Sequence, residues 1–441
     1  MVCNGCSQRY EKMIKRIKSL TNTEDKKRLM SNFFSLSILQ GANYILPLIT
    51  LPYLVRVLGV EYFGLLAFAT ATVTYFSILT DYGFNLTATR EISIHRDNKA
   101  KVIEIFSSVM TIKVILMFVS FLLLTILVFS FEKFSKDALV YFLTFGTVIG
   151  QVLFPVWFFQ GMERMKYITY LNILSKVIFT IAIFLFVQEQ SDFYLVPLLT
   201  SIGFLVAGIW SLYLVKKEFG VRFELQNIKT LKYHLNEANH IFLSNISVSL
   251  YTKSTILILG IFTNNTIVGY YAVADKLINA IKQLIIPVSQ ALFPFISKQA
   301  DESKEIALKI VKKLFIALVP ISSFISLFFF IYSKEIIIFI FGTQAIDSII
   351  IFKILAIIPT LVVLDTLFGT LVMLVFKHNK AYSKIIFSAG IINLLLIILL
   401  IPFFQAIGAA ISVLLVEVYI TLRIIFYTES NGLNIIRKVK I

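Results

Sequence analysis

Charged and amide side chains lie inside long apolar stretches of this sequence, and their spacing is helical. Asn245, Ser249 and Lys253 recur every four residues, so one helix would carry all three on one face. Asp275 precedes Asn279 by four residues, and Lys282 follows three later. A charge in hydrocarbon costs about 2.5–3.5 kcal/mol on insertion scales, so such residues need a partner or a watery cavity. The pattern predicts a polar site inside a membrane.

Lysines and amides suggest what this site binds. A lysine binds phosphate as a point charge, and stripes of amides and hydroxyls suit sugars. The predicted ligand is therefore a phosphate-bearing glycan. For Lys253 and Lys282 the alternative is that the ammonium group snorkels to a lipid headgroup. The predicted substrate-binding residues are Lys176, Asn245, Ser249, Lys253, Asn279 and Lys282.

Acidic residues in the same stretches are candidates for gating or ion coupling. Asp365 and Glu417 would either bind H⁺ or Na⁺ or pair with a lysine of another helix. Asp275 has Lys276 and Lys282 as nearby partners, and Asp81 would either form an ion pair with Arg90 or contact a gate. The predicted gate or coupling residues are Asp81, Arg90, Asp275, Asp365 and Glu417.

Motifs for catalysis are missing from the sequence. It contains no phosphate-binding G-x-x-x-x-G-K-[ST], no H-E-x-x-H and no G-x-S-x-G. Cys3 and Cys6 form a lone C-x-x-C without the second pair that a zinc site needs. We therefore predict neither an enzyme nor a metal site, and no cofactor other than a coupling ion.

The elements that carry these residues must be membrane-spanning helices. Hydrophobic residues make up 58% of the 441, and the mean hydropathy is +0.85. The apolar runs are about twenty residues long, the length of a helix that crosses a bilayer. The predicted fold is an all-α polytopic membrane protein of about twelve spans, near 33–54, 63–82, 109–131, 138–160, 167–188, 193–215, 241–262, 277–297, 312–333, 350–376, 382–401 and 405–427. Pro47 and Pro52 in the first span, and Pro287 and Pro294 in the eighth, are the predicted bends.

The distribution of basic residues predicts the orientation. With the N-terminus in the cytoplasm, 32 of the 41 Lys and Arg fall on cytoplasmic segments and four on outer turns. Cytoplasmic loops carry such an excess in membrane proteins. The net charge of +16 thus reports topology and not nucleic-acid binding. We predict a multi-pass protein of the bacterial inner membrane with both termini cytoplasmic.

An even division into two halves follows from the span order. Phe63–Ala69 and Val268–Ala274 share one Gly and two Ala at a shift of 205 residues, which suggests duplication. The predicted organisation is a basic tail (1–32), an N-lobe (33–215), a cytoplasmic connector (216–240), a C-lobe (241–427) and a C-terminal tail (428–441). Rocking of one half against the other would open a cavity between them.

Several segments resemble bacterial O-antigen and capsule-repeat flippases. They are L-P-Y-L-V-R-V-L-G-V-E-Y-F-G-L (51–65), D-Y-G-F-N-L-T-A-T-R-E-I (81–92), W-F-F-Q-G-M-E (157–163), and Ile401-Pro402 followed by A-I-G-A-A (406–410). That family belongs to the MATE-like multidrug/oligosaccharidyl-lipid/polysaccharide exporter superfamily. The resemblance implies two six-helix lobes around a V-shaped cationic cavity and alternating access.

The resemblance also implies a substrate and partners. The expected cargo is an undecaprenyl-pyrophosphate-linked oligosaccharide, moved to the periplasmic leaflet with H⁺ or Na⁺ coupling. Membrane lipids and other polysaccharide assembly proteins are the expected partners, and nucleic acid is not.

Three other functions compete with this interpretation. A MATE-like exporter of drugs would have an acidic cavity, whereas lysines outnumber acids in the predicted spans. A polytopic polymerase or glycosyltransferase would need a large outer loop, and no outer turn here exceeds about 25 residues. A membrane scaffold would have no use for stripes of polar residues inside its spans.

Overall fold

The structure is a computed structural model that describes residues 24–433 and 435. Every regular element in this part of the chain is a helix, so the predicted all-α class is confirmed. Helices satisfy their backbone hydrogen bonds internally, as a chain in hydrocarbon must. Cys3, Cys6 and most of the two predicted tails lie outside the described residues.

The described residues form sixteen α-helices, numbered here in chain order. Two short 3₁₀ turns (Gln190–Tyr194 and Thr343–Ala345) and a π-helix (Thr366–Leu374) complete them. The helices are α1 Glu24–Asp81, α2 Phe84–Ile94, α3 Lys99–Ser130, α4 Glu132–Ser135, α5 Ala138–Leu153, α6 Val156–Gly161, α7 Met165–Phe186, α8 Leu195–Phe219, α9 Ile228–Phe262, α10 Asn265–Gln283, α11 Ile285–Glu302, α12 Lys304–Ile331, α13 Ser333–Phe341, α14 Ser348–Leu355, α15 Ile358–Asp365 and α16 Asn379–Ser430.

Many of these helices can cross a membrane. In the described part of the chain, nine helical stretches are long and apolar enough, or ten if the two parts of α9, bent by 55°, form one span. Two of the nine hold α1 and α16, which have 58 and 52 residues, more than twice the roughly 20 residues of one crossing. Each is interrupted once, at Gly59 and at Gln405. The count of about twelve spans stays a prediction.

The interruptions do not coincide with the predicted proline bends. In α1 the backbone leaves helical geometry at Gly59, seven residues beyond Pro52, where φ is +79°. Glycine accepts this value because it has no Cβ, whereas a proline inside a membrane helix often only kinks it. The helical break nearest to Pro287 lies three residues earlier, at Leu284 between α10 and α11.

The chain divides into two compact units. The first contains Met1–Pro47, Phe76–Leu185 and Leu195–Leu243. Its core holds the fully buried Trp157, Phe158 and Phe159. In this unit α5 packs closely on α8, because a Cβ at Gly208 would lie 2.8 Å from the carbonyl oxygen of Gly150. Small residues of this kind let membrane helices approach each other.

The second unit contains Leu48–Tyr75, Phe186–Tyr194 and Ser244–Ile441. Its core joins Leu367 and Phe368 of the π-helix to Ile420 and Ile424 of α16. The middle of α1 therefore packs with the later part of the chain. The predicted lobe boundaries at 33–215 and 241–427 stay predictions.

Candidate functional site

An ion pair joins two membrane helices of the second unit. Lys282 Nζ in α10 lies 3.2 Å from Glu417 Oε1 in α16, and these side chains are only 27% and 11% exposed. Each charge compensates the other inside a largely buried environment. Glu417 thus has the lysine partner that the sequence offered as one of two alternatives, and its role in ion coupling stays a prediction.

Asp365 lies beside this pair. Thr421 Oγ1 donates a 2.7 Å hydrogen bond to Asp365 Oδ1, and Glu417 and Lys282 are close enough to interact electrostatically with the Asp365 carboxylate. The π-helix begins at the next residue, Thr366. π-Helical turns are rare and frequently mark functional sites. Asp365 thus lies near the Lys282–Glu417 ion pair and next to an unusual backbone segment.

The predicted polar face of α10 is held by contacts between neighbouring turns of the same helix. The Asn279 side chain hydrogen-bonds the carboxylate of Asp275 one turn earlier, and both side chains are half-buried. Three lysines interact electrostatically with Asp275: Lys276 and Lys282, the two partners expected from the sequence, and also Lys253 of α9. Lys276 itself is exposed.

The polar stripe on α9 is interrupted. Asn245 and Ser249 are half-buried and Lys253 is exposed. The 55° bend separates Ile228–Leu250 from Thr252–Phe262, so it falls between Ser249 and Lys253. The spacing of four residues places side chains on one face only in a straight helix, so the bend removes that argument for Lys253. Lys253 does interact electrostatically with Asp275 of α10.

In the first unit, Asp81 has a partner that the sequence interpretation placed elsewhere. Lys113 Nζ of α3 lies 3.6 Å from Asp81 Oδ1, and the lysine side chain is only 5% exposed. Arg90, the expected partner, is exposed. Lys113 is one of the 32 basic residues that the sequence analysis counted on cytoplasmic segments, although it lies within the predicted span 109–131. It belongs instead with the intramembrane cations.

Lys176 has a neutral partner. Its ammonium group donates to the side-chain oxygen of Asn43 in α1, and the lysine is half-buried. Within the described residues, neither Lys176 nor Lys253 forms a salt bridge. Lys113 and Lys282 each lie within 4 Å of a carboxylate, whereas the interaction of Lys253 with a carboxylate is the longer-range one with Asp275.

A tight helix crossing joins the middle of α1 to the start of α10. A Cβ added at Gly64 would overlap the carbonyl oxygen of Asn265 and lie 2.6 Å from the backbone nitrogen of Gly269. A Cβ at Gly269 would overlap the carbonyl oxygen of Val60. Only glycine fits at either position. The topology inferred from basic residues predicts that this crossing lies at the outer ends of the spans.

Two polar contacts lie near the crossing. The Arg56 guanidinium donates to the carbonyl oxygens of Phe339 and Ile340 at the end of α13, at 3.0 Å to Ile340. The Gln344 amide donates to the carbonyl oxygen of Val55. A helix C-terminus has free carbonyl groups and a partial negative charge, both of which favour a cation there.

Residues 29–300 match the family of polysaccharide biosynthesis proteins, and this stretch is more than half of the chain. The chain belongs to the polysaccharide biosynthesis protein family. Two curated relatives are both named "Putative O-antigen transporter". The one from Escherichia coli (strain K12) is 33% identical over 409 residues, covering 93% of this chain and 99% of that protein. The one from Shigella dysenteriae is 28% identical over 407 residues, covering 89% of this chain and 98% of that protein.

Solved structures place the fold of this polysaccharide biosynthesis protein among membrane transporters. It is similar to the lipid II flippase MurJ in an inward closed conformation, with a TM-score of 0.71, 13% identity, and coverage of 91% of this chain and 87% of that one. It is also similar to an inward-facing multidrug resistance MATE family transporter of the MOP superfamily. The TM-score is 0.58 and the identity 14%, and the match covers 88% of this chain and 94% of that one. The predicted MATE-like fold and the prediction of a transporter instead of an enzyme are confirmed.

The sequence interpretation of this family member missed three features of the site. Lys113 was overlooked because it borders a basic segment, and Arg56 because its partners are backbone atoms 283 and 284 residues away. The glycine crossing had a sequence signal in the repeat at a shift of 205 residues, but the repeat alone does not show contact. The roles assigned to the eleven predicted site residues stay predictions.

Proposed function

We propose that this polysaccharide biosynthesis protein is a flippase that moves lipid-linked O-antigen or capsule repeat units from the cytoplasmic to the periplasmic leaflet. The carrier is undecaprenyl pyrophosphate. The observation that carries the proposal is the near full-length relationship to curated proteins named as O-antigen transporters. The oligosaccharide is attached to a membrane lipid. A membrane protein can therefore move it between leaflets without a large outer domain.

The anionic head of this substrate needs compensating charge inside the membrane. Lys176 and Lys253 supply it, since neither forms a salt bridge in the described residues. Asn245, Ser249 and Asn279 add hydrogen-bonding groups for the sugar. This division refines the sequence prediction, because Lys282 is occupied by Glu417 and serves the coupling machinery instead.

Alternating access requires contacts that break during transport. The crossing of Gly64 with Gly269 and the Arg56 contacts hold together the middle of α1, the start of α10 and the end of α13, which the predicted topology puts on the outer side. We assign this group of contacts to an outer gate that separates when cargo leaves toward the periplasm. Backbone-to-backbone packing suits a gate, because it involves little side-chain ordering and forms in one geometry.

A coupling ion would drive the cycle at Asp365 and Glu417. Glu417, which is paired with Lys282, and the nearby Asp365 can each take up a proton or a Na⁺ ion, which changes the charge between α10, α15 and α16. Asp275 lies on the same helix as Lys282 and supports the same network. Ion binding thereby alters the pairing that holds these helices together.

Deletion of the gene in the native host tests the proposed function. We expect loss of surface polysaccharide and accumulation of completed repeat units on the lipid carrier in the cytoplasmic leaflet. A plasmid copy of the wild-type gene restores both. Normal polysaccharide display in the deletion strain, together with increased sensitivity to toxic small molecules, would instead identify a drug exporter.

A further inference from the structure

A basic cleft lies where α3 begins and α8 ends, within the first unit. Its volume is about 530 Å³, and Lys99, Lys216, Lys217 and Arg222 line it together with a single acid, Glu224. The four cations come from three separate places: the first turn of α3, the last turn of α8 and the loop after it. Convergence on one cleft distinguishes them from basic residues that are merely scattered over a cytoplasmic surface.

The cleft is fixed by packing and not by salt bridges. Val221 is 3% exposed, and the backbone nitrogen of Glu224 donates a 3.0 Å hydrogen bond to Ser107 Oγ of α3. The loop therefore stays against α3. In the described part of the chain none of the four cations forms a salt bridge, so their charge is available to a ligand.

Apolar side chains beside the cleft identify the surroundings as lipid. Phe223 and Leu225, which alternate with Arg222 and Glu224, are 55% and 87% exposed. Apolar tips interleaved with cations are typical of segments that lie in the interfacial layer of a membrane. A binding site for a free anion in water would not need them.

An exposed stripe on α8 leads from the cleft into the membrane. Lys217 Nζ lies 5.6 Å from the centre of the Tyr213 ring, and Tyr213 and Trp210 are 55% and 52% exposed. Trp210, Tyr213 and Lys217 share one helical face, which Ile202, Val206 and Ile209 continue. Aromatic residues are enriched at the membrane interface, and the apolar part of the stripe is long enough to contact an acyl chain.

We propose that this cleft binds the headgroup of an anionic phospholipid of the cytoplasmic leaflet, with an acyl chain along the exposed stripe of α8. Basic pockets between membrane helices on the cytoplasmic side recognise such headgroups. The bound lipid would tie the ends of α3 and α8 to the membrane surface. This site is separate from the residues assigned to substrate transport.

Trp210 provides a direct reporter for the test. The chain has two tryptophans, and the other, Trp157, is fully buried. Trp210 lies seven residues before Lys217, about 10 Å deeper along the helix. The purified full chain is reconstituted in phosphatidylcholine vesicles that contain a small fraction of phosphatidylglycerol. Bromine is placed on the acyl chains of either lipid, and quenching of tryptophan fluorescence is compared between the two.

We expect brominated phosphatidylglycerol to quench more strongly than brominated phosphatidylcholine at the same mole fraction. The triple variant Lys216→Ala, Lys217→Ala, Arg222→Ala should lose this preference by at least about fivefold, the factor that one cation near an anionic surface contributes. The matched variant Lys309→Ala, Lys312→Ala, Lys313→Ala removes the same charge from α12 and should keep the preference. The three cleft residues are exposed, so their replacement should leave folding intact, which circular dichroism verifies.

Equal preference in wild-type protein and the cleft variant would overturn the proposal. So would an equal loss in both triple variants, because net charge alone would then account for it. Displacement of phosphatidylglycerol by sub-millimolar inorganic phosphate, but not by chloride at the same ionic strength, would also overturn it. That result would identify a site for free phosphate.

Discussion

Replacement of Gly64 by alanine should open the proposed outer gate. The added Cβ would lie 2.6 Å from the backbone nitrogen of Gly269, about 1 Å closer than van der Waals contact allows. This nitrogen and the carbonyl oxygen of Asn265, which the Cβ would also overlap, are backbone atoms, so a rotamer change cannot relieve the overlap. Overpacking of this kind costs about 1–3 kcal/mol, and it penalises only the state in which the helices cross. The population with separated outer ends should rise about 5- to 150-fold.

Labelling of a buried thiol measures that population. Val60 is 6% exposed and its side chain contacts the Gly269 position, so Val60→Cys places a thiol at the crossing. A membrane-impermeant maleimide added from the periplasmic side reacts only when the crossing opens. Cys3 and Cys6 are replaced by serine beforehand. Gly41→Ala is the matched control, because a Cβ at Gly41 meets nothing within 4 Å.

The expected result is a labelling rate that rises with Gly64→Ala and stays at the wild-type value with Gly41→Ala. Surface polysaccharide should decrease only in the Gly64 variant, since a gate that stays open cannot complete the cycle. Identical labelling rates in the two glycine variants would refute the assignment of this crossing to a gate. A rise in both would show that the glycines act through general helix stability.

Four further substitutions test the charged residues in three experiments. Lys253→Ala should reduce complementation of the deletion strain by about 10- to 100-fold, because one hydrogen bond to a charged group is worth about 1.5–3 kcal/mol. Lys282→Met and Glu417→Gln should be non-additive, with a coupling free energy of about 0.5–3 kcal/mol from thermal unfolding in detergent. Asp365→Asn should remove the dependence of transport on the gradient of the coupling ion, measured in vesicles with imposed Na⁺ or H⁺ gradients.

Each of these experiments has an outcome that would contradict it. For Lys253→Ala the control is Lys276→Ala, which removes another exposed cation from the neighbouring helix. Full complementation by the Lys253 variant would remove this residue from the substrate path. Additive effects of the Lys282 and Glu417 substitutions would show that the pair contributes nothing, and an unchanged gradient response would exclude Asp365 as the coupling site.

Hydropathy and short motifs carry much of the fold information in this sequence. Apolar runs of bilayer length follow directly from the need to cover backbone and side chains in lipid, so the all-helical class could be predicted. The segments at 51–65 and 81–92 led to the right family, which the match over residues 29–300 confirms. Helix periodicity also placed Asp275 and Asn279 within hydrogen-bond reach, since that contact is local.

Ion pairing could not be predicted in the same way. Lys282 and Glu417 are 135 residues apart, and the sequence offered Lys282 several acidic partners. Asp81 was assigned to Arg90 because the two are close in sequence, yet burial of Lys113 makes this lysine the partner that most needs a carboxylate. The bend in α9 could not be predicted either, because a regular spacing of polar residues does not show where a helix axis changes direction.

The glycine crossing connects the sequence repeat to the structure. Gly64 packs against Asn265, and Gly269 packs against Val60. A shift of 205 residues converts Val60 into position 265 and Gly64 into position 269, so the two contacts are the same contact with the partners exchanged. Reciprocal contacts of this kind arise where two equivalent segments meet across a twofold axis. Both positions need glycine for the same steric reason, because a Cβ at either would overlap backbone atoms of the other segment. The duplication that the sequence predicts would account for a glycine at this point in both segments.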